Sequence, residues 1–108
     1  MGKHKLTPEL MDIIAERFKA LGEPARLQIL DALRDGEATV TELVDATGLG
    51  QANVSKHLRL LHAHGCVSRR KAGVSVYYTL AESVDALCDI MTHQLKAQTT
   101  SRRRALTS

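Results

Sequence analysis

Residues 43–80 read LVDATGLGQANVSKHLRLLHAHGCVSRRKAGVSVYYTL, and the order of residue types in that run decides the fold. Leu43, Val44 and Ala46 belong to a short helix that ends at Gly48. Just upstream, Thr39-Val40-Thr41-Glu42 matches the S/T-x-x-E capping box that opens such a helix. Gly50-Gln51 begins a second helix, which runs to about His64 and is closed by Gly65. Within it Val54, Leu58 and Leu61 fall at i, i+4 and i+7, one buried stripe. Cys66–Arg70 and Val74–Leu80 are short runs rich in β-branched and aromatic residues. Lys71-Ala72-Gly73 between them supplies a glycine turn, so the two runs pair as a hairpin.

Helices flank this unit on both sides. Thr7-Pro8 opens the first, since Thr can cap and Pro fits the first helical position. Leu10, Ile13, Ile14, Phe18 and Leu21 recur at helical spacing until Gly22 stops it. Pro24 starts another helix, whose apolar residues are Leu27, Ile29, Leu30 and Leu33, and Asp35-Gly36 is a turn. A last helix follows from about Glu82, with Val84, Leu87, Cys88, Met91 and Leu95 on one side. The expected fold is mainly α with a small β-hairpin (α+β): about five helices plus a two-stranded wing. Residues 1–98 form the single domain, and the polar stretch 99–108, with Arg102-Arg103-Arg104, is expected to be a disordered tail.

Charge is segregated along the chain. No Asp or Glu occurs between Asp45 and Glu82, an interval that holds Lys56, Arg59, Arg69, Arg70 and Lys71. The preceding 45 residues carry nine acidic against six basic residues, and the whole chain has a net charge of +3. A one-signed surface of this kind suits a polyanion. Aromatic content of 3% without Trp argues against single-strand binding, which stacks bases on rings. No apolar run approaches the roughly 18 residues of a membrane helix. No apolar signal segment follows the basic start Met1-Gly2-Lys3-His4-Lys5, so a cytoplasmic protein is expected.

Two helices joined by a glycine turn make a helix-turn-helix, whose second helix fits a major groove with its N-terminal residues nearest the bases. At about 100° per residue, Ala52, Lys56, Arg59 and Ala63 point away from Val54, with Asn53 and Ser55 beside them. Small Ala52 lets the backbone approach. Gln51 and Asn53 carry amides that can pair with adenine. Ser55 can bond a base edge or a phosphate, and Lys56 and Arg59 can neutralise phosphates or read guanine. His57 sits in the same run and is counted with them. Arg69, Arg70 and Lys71 lie at or near the hairpin tip, within reach of flanking phosphates or a minor groove. Tyr77 and Tyr78 alternate faces, so one packs inward and the other does not. Nothing resembles a nucleophile elbow, a phosphate loop or paired catalytic carboxylates, which argues against an enzyme. The rival reading is a winged-helix module that binds protein and does not read DNA.

Glu16-Arg17-Phe18-Lys19-Ala20-Leu21-Gly22-Glu23-Pro24-Ala25-Arg26-Leu27-Gln28-Ile29-Leu30 resembles the opening signature of the ArsR/SmtB family of winged helix-turn-helix repressors. Asn53–Leu61 resembles that family's recognition helix and Gly65–Tyr78 its wing. The resemblance covers roughly residues 10 to 95. It implies a homodimer paired through the first and last helices, which Ile13, Ile14, Phe18, Val84, Leu87, Met91 and Leu95 would serve. It also implies repression from a near-palindromic operator, relieved by a metal ion or a redox signal at a thiol.

The standard family metal positions do not carry over. Where the family places two cysteines in the third helix, Glu37–Leu43 has Thr39 and Thr41. Where it places Asp-x-His and a later His pair in the last helix, this chain has Glu82, Val84, Leu95 and Gln98. Non-standard zinc-like sites are left: Cys66 with His62 and His64, or Cys88 with His93 across a dimer axis, with His4 as a further ligand. Cys88 is also a candidate thiol switch; the simpler reading of both cysteines is a reduced thiol packed as a small hydrophobe.

Overall fold

The computed structural model describes residues 5–107, with side chains through residue 100. Met1 to His4, including the candidate ligand His4, and Ser108 lie outside the described residues. Five helices and one hairpin follow in the order α1 (Pro8–Leu21), α2 (Pro24–Leu33), α3 (Val40–Thr47), α4 (Gln51–Ala63), β1 (Val67–Ala72), β2 (Ser75–Leu80) and α5 (Glu82–Thr107). Local chemistry sets the boundaries. The Thr7 hydroxyl accepts from the Leu10 N–H at 3.2 Å and Pro8 fills the first position of α1. At α3 the capping box is complete: the Thr39 hydroxyl accepts from Glu42 N, and the Glu42 carboxylate accepts from Thr39 N at 2.9 Å. Gly48 then ends α3 in the left-handed conformation, φ 75°.

α2, α3 and α4 pack on one another around a core whose fully buried side chains are Ile29, Leu30, Leu43, Val54, Leu58, Leu61 and Cys66. Burying each large aliphatic among them contributes about 1.5–3 kcal/mol relative to exposure. Leu27, grouped with the apolar residues of α2 by sequence, is exposed on the outer side of that helix. Two arginines tie helix ends together by donating to carbonyls at helix C-termini, where the helix itself supplies too few donors. Arg26 of α2 donates to Ala20 O and Lys19 O at the end of α1. Arg17 of α1 donates to His64 O at the end of α4, at 2.8 Å.

The hairpin is antiparallel, pairing Val67 with Leu80, Arg69 with Tyr78, Arg70 with Tyr77 and Lys71 with Val76. Its turn is tighter than the sequence suggests. Lys71 and Ala72 extend β1, and the two-residue turn is Gly73-Val74. Only Gly73 of that pair has a positive φ, 62°, as a primed hairpin turn with glycine first requires. Ala38, in the loop before α3, bonds Tyr78 in both directions: Tyr78 N donates to Ala38 O at 2.8 Å and Ala38 N to Tyr78 O at 3.0 Å. The hairpin root is therefore fixed to the entrance of the helix-turn-helix.

α5 leaves the body early. Val84 is 2% exposed and Leu87 and Cys88 pack on the core, but every residue from Asp89 to Thr100 is exposed. Arg34, capping α2, holds the start of α5 through Asp85 (2.9 Å) and Asp89 (3.1 Å). The helix continues to Thr107, through the stretch whose polar composition suggests a disordered tail. No Gly or Pro interrupts the chain after Gly73, and the Arg, Ala and Leu residues there favour helix. Among the described residues no helix is long and apolar enough to cross a membrane.

Candidate nucleic-acid interface

α4 presents two unlike faces. Val54, Leu58 and Leu61 have no exposed surface and seat the helix on α2 and α3. Gln51, Ala52, Asn53, Lys56 and Arg59 are exposed on the other side, and Ser55 is half-buried between the two. These five exposed residues include two amides and two cations, and no carboxylate belongs to α4. Its N-cap is Gly50, which supplies no side-chain acceptor to the first turn. The amides that open the helix are thus uncapped by protein, the arrangement that favours an approaching anion.

His57 does not belong to this face. It is 8% exposed, turned inward beside Val54 and Leu58, with Nε2 3.7 Å from the Glu23 carboxylate. Glu23 is shared with Arg26, whose Nη1 lies 2.7 Å from it. Helical periodicity explains the inward turn, since residue 57 stands three after Val54 and one before Leu58. Its polar neighbours in the sequence are what place it outward on a first reading.

The hairpin's three cations have different situations. Arg69 and Lys71 are exposed and share a strand face with Val67. Arg70 lies on the opposite face and is engaged. Its guanidinium sits 4.7 Å from the ring centroid of Tyr77, its cross-strand partner. It also forks onto Glu37, with Nη2–Oε1 at 2.6 Å and Nε–Oε2 at 3.2 Å. That guanidinium holds the Glu37 carboxyl below the ordinary carboxylate range. Nothing in the acid-free run itself signals that a carboxylate 33 residues upstream meets the hairpin. Tyr78 packs on the core while Tyr77 carries Arg70. Fully exposed Val74, and neither Arg70 nor Lys71, forms the tip.

The candidate metal and thiol residues stay apart within the chain. Cys66 is fully buried, its thiol directed weakly at His64 O (3.9 Å), while His62 is exposed and His64 half-buried. Cys88 is half-buried against the core and His93 exposed further along α5. Burial pushes both thiols up, with the charge of Arg17 pulling Cys66, and that of Arg34 pulling Cys88, the other way. Among the described residues no three His, Cys, Asp or Glu side chains converge as metal ligands.

The predicted pairing residues divide as well. Ile13, Ile14 and Phe18 of α1 and Met91 and Leu95 of α5 are exposed. Val84 is core, because α5 docks on its own protomer at that turn, and Leu87 is half-buried there. Leu10, Met11 and Ile90, absent from the sequence-derived set, are exposed apolar residues of the same two helices.

Comparison with known proteins gives these elements a family. The family model for bacterial regulatory proteins of the arsR family matches residues 23–69, which spans α2, the helix-turn-helix and the start of the hairpin. The chain is 40% identical over 74 residues to the HTH-type transcriptional repressor SmtB of Mycobacterium tuberculosis, covering 68% of this chain and 55% of that protein. It thus spans little more than half the length of that relative. It is 40% identical over 82 residues to the transcriptional activator HlyU of Vibrio cholerae, covering 75% of each. Among solved structures, the homodimeric winged helix-turn-helix DNA-binding domain Mb0332 of Mycobacterium bovis superposes with a TM-score of 0.80 at 31% identity, over 91% of this chain and 94% of that one. With the fold, the helix-turn-helix and the matched residues in agreement, the chain belongs to the ArsR family of bacterial regulatory proteins.

Proposed function

We propose that this protein is a sequence-specific, duplex-DNA-binding transcriptional repressor that acts as a homodimer on a near-palindromic operator and is released by an effector. The observation that carries the reading is the outward face of α4. Gln51 and Asn53 offer base-reading amides, Lys56 and Arg59 offer phosphate-neutralising cations, and no carboxylate competes on that helix. Arg69 and Lys71 extend the cationic surface along the hairpin. The relatives support a regulatory role, one being a repressor and another an activator. The homodimer reading draws on Mb0332 and on the apolar faces that α1 and α5 leave uncovered. An effector group, metal ion or thiol signal, would have to be completed across the dimer axis, where Cys88 and His93 of α5 are the candidates.

The test is a gel shift with Lys56→Ala and Arg59→Ala, singly and together. Each phosphate that is no longer neutralised should flatten the slope of log K against log salt by about 0.9. The double variant should lose most of its affinity while its circular dichroism and dimer mass stay unchanged. Equal binding by the double variant and the wild type would remove α4 as the reading element.

A further inference from the structure

Glu37 has no place in the interface described above, yet it controls one of its cations. The Arg70 side chain leaves β1 and crosses β2, passing over Tyr77 before its fork closes on both Glu37 oxygens. The backbone that carries Glu37 is placed there independently of that ion pair, because adjacent Ala38 is bonded through its main chain to Tyr78 of β2. The planar fork that accepts a bidentate carboxylate is the same fork that accepts two phosphate oxygens. A duplex that meets the hairpin would thus find Arg69 and Lys71 exposed on one face and Arg70 occupied on the other.

We infer that Glu37 is a built-in competitor for the DNA backbone, which fills the Arg70 fork with a carboxylate and so weakens the hairpin's hold on duplex of any sequence. The inference rests on the DNA-binding reading above. A phosphate that reaches Arg70 must displace Glu37 and then remain beside its negative charge. Sequence-independent binding depends chiefly on phosphate neutralisation, so it is the binding mode this ion pair suppresses most. The ion pair is solvent-exposed and screened, so the effect is small, about two- to fivefold.

The experiment is a salt series by fluorescence anisotropy with a short random-sequence duplex and the full chain. Glu37→Gln, and separately Glu37→Ala, should bind about two- to fivefold tighter than wild type. Their log K against log salt should steepen by about 0.9, the value of one extra phosphate. Made in an Arg70→Ala background, Glu37→Gln should bring no such gain. Unchanged or weaker binding by both Glu37 variants overturns the inference. So does a gain that survives Arg70→Ala, which would mean only that a negative charge was removed at a distance. A wild-type chain that binds no duplex at low salt overturns the DNA reading itself and the inference with it.

Discussion

Gly48 stands at φ 75° with no atom within 4 Å of where a Cβ would sit, so a side chain there meets only backbone strain. Gly48→Ala should therefore cost about 1–2 kcal/mol, read as a lower urea midpoint with an unchanged m-value. Gly65, at φ 72°, differs in one respect: a Cβ would lie 2.9 Å from Arg17 Nη2. Gly65→Ala adds to that strain the displacement of a guanidinium that caps the end of α4 through His64 O. It should be the more damaging of the two, and equal midpoints would show that the guanidinium end yields while Nε keeps its bond to His64 O. The thiols set a pH dependence of definite sign. Burial raises both above the ordinary thiol value, so the unfolded chain loses its thiol protons first. The associated stability is full below the ordinary thiol pKa and is lost as pH rises through the raised folded values. Substituting Ser for Cys88 and Ala for Cys66 should flatten the alkaline limb of a stability-versus-pH curve. A limb of the same steepness without the thiols would assign it to other groups.

Capping is where sequence and element agree most closely. Thr39 and Glu42 satisfy each other's backbone donors at the start of α3, which is only eight residues long. Thr39→Ala should cost about 1 kcal/mol, whereas Glu42→Gln, which keeps the reciprocal bond, should cost less. Chemical denaturation of the two variants checks the order; a reversed order would mean that charge, and not the cap, dominates. Such features are legible in sequence because they are local: cap, helix stripe and glycine stop all lie within one short helix of a few turns. The α4 stripe of Val54, Leu58 and Leu61 is legible for the same reason. What sequence alone misses depends on distant partners. Arg70 looks like a free cation until the fold brings Glu37 across β2, and Val84 looks like interface until α5 docks on its own core. Composition misplaces the hairpin turn because Lys71 and Ala72 carry no strand preference of their own, and pairing with Val76 and Ser75 overrides it.

At the scale of the whole molecule, the apolar side of α1 and α5 calls for a cover. Phe18 is 56% exposed, Ile90 66%, and Leu10, Ile13, Met91 and Leu95 are comparably bare, while the core around Ile29, Leu30 and Leu58 is complete without them. A monomer would leave these side chains in water, and a twofold pairing of the two helices would bury them. Because the core and this surface share few residues, pairing can be broken without unfolding the protomer. Phe18→Glu combined with Met91→Glu places like charges where the two copies would meet. The variant should run as a folded monomer by light scattering, with native helix content. Two joined half-sites gain effective concentration that two separate ones lack, so its affinity for a palindromic operator should fall by about 100-fold or more. Its binding to a single half-site should change far less, because the α4 face in each protomer is untouched. A variant that remains dimeric, or a monomer that holds the full operator as tightly as the wild type, would show that these helices do not join two readers. The cationic face of α4 would then have to account for operator affinity from one copy alone.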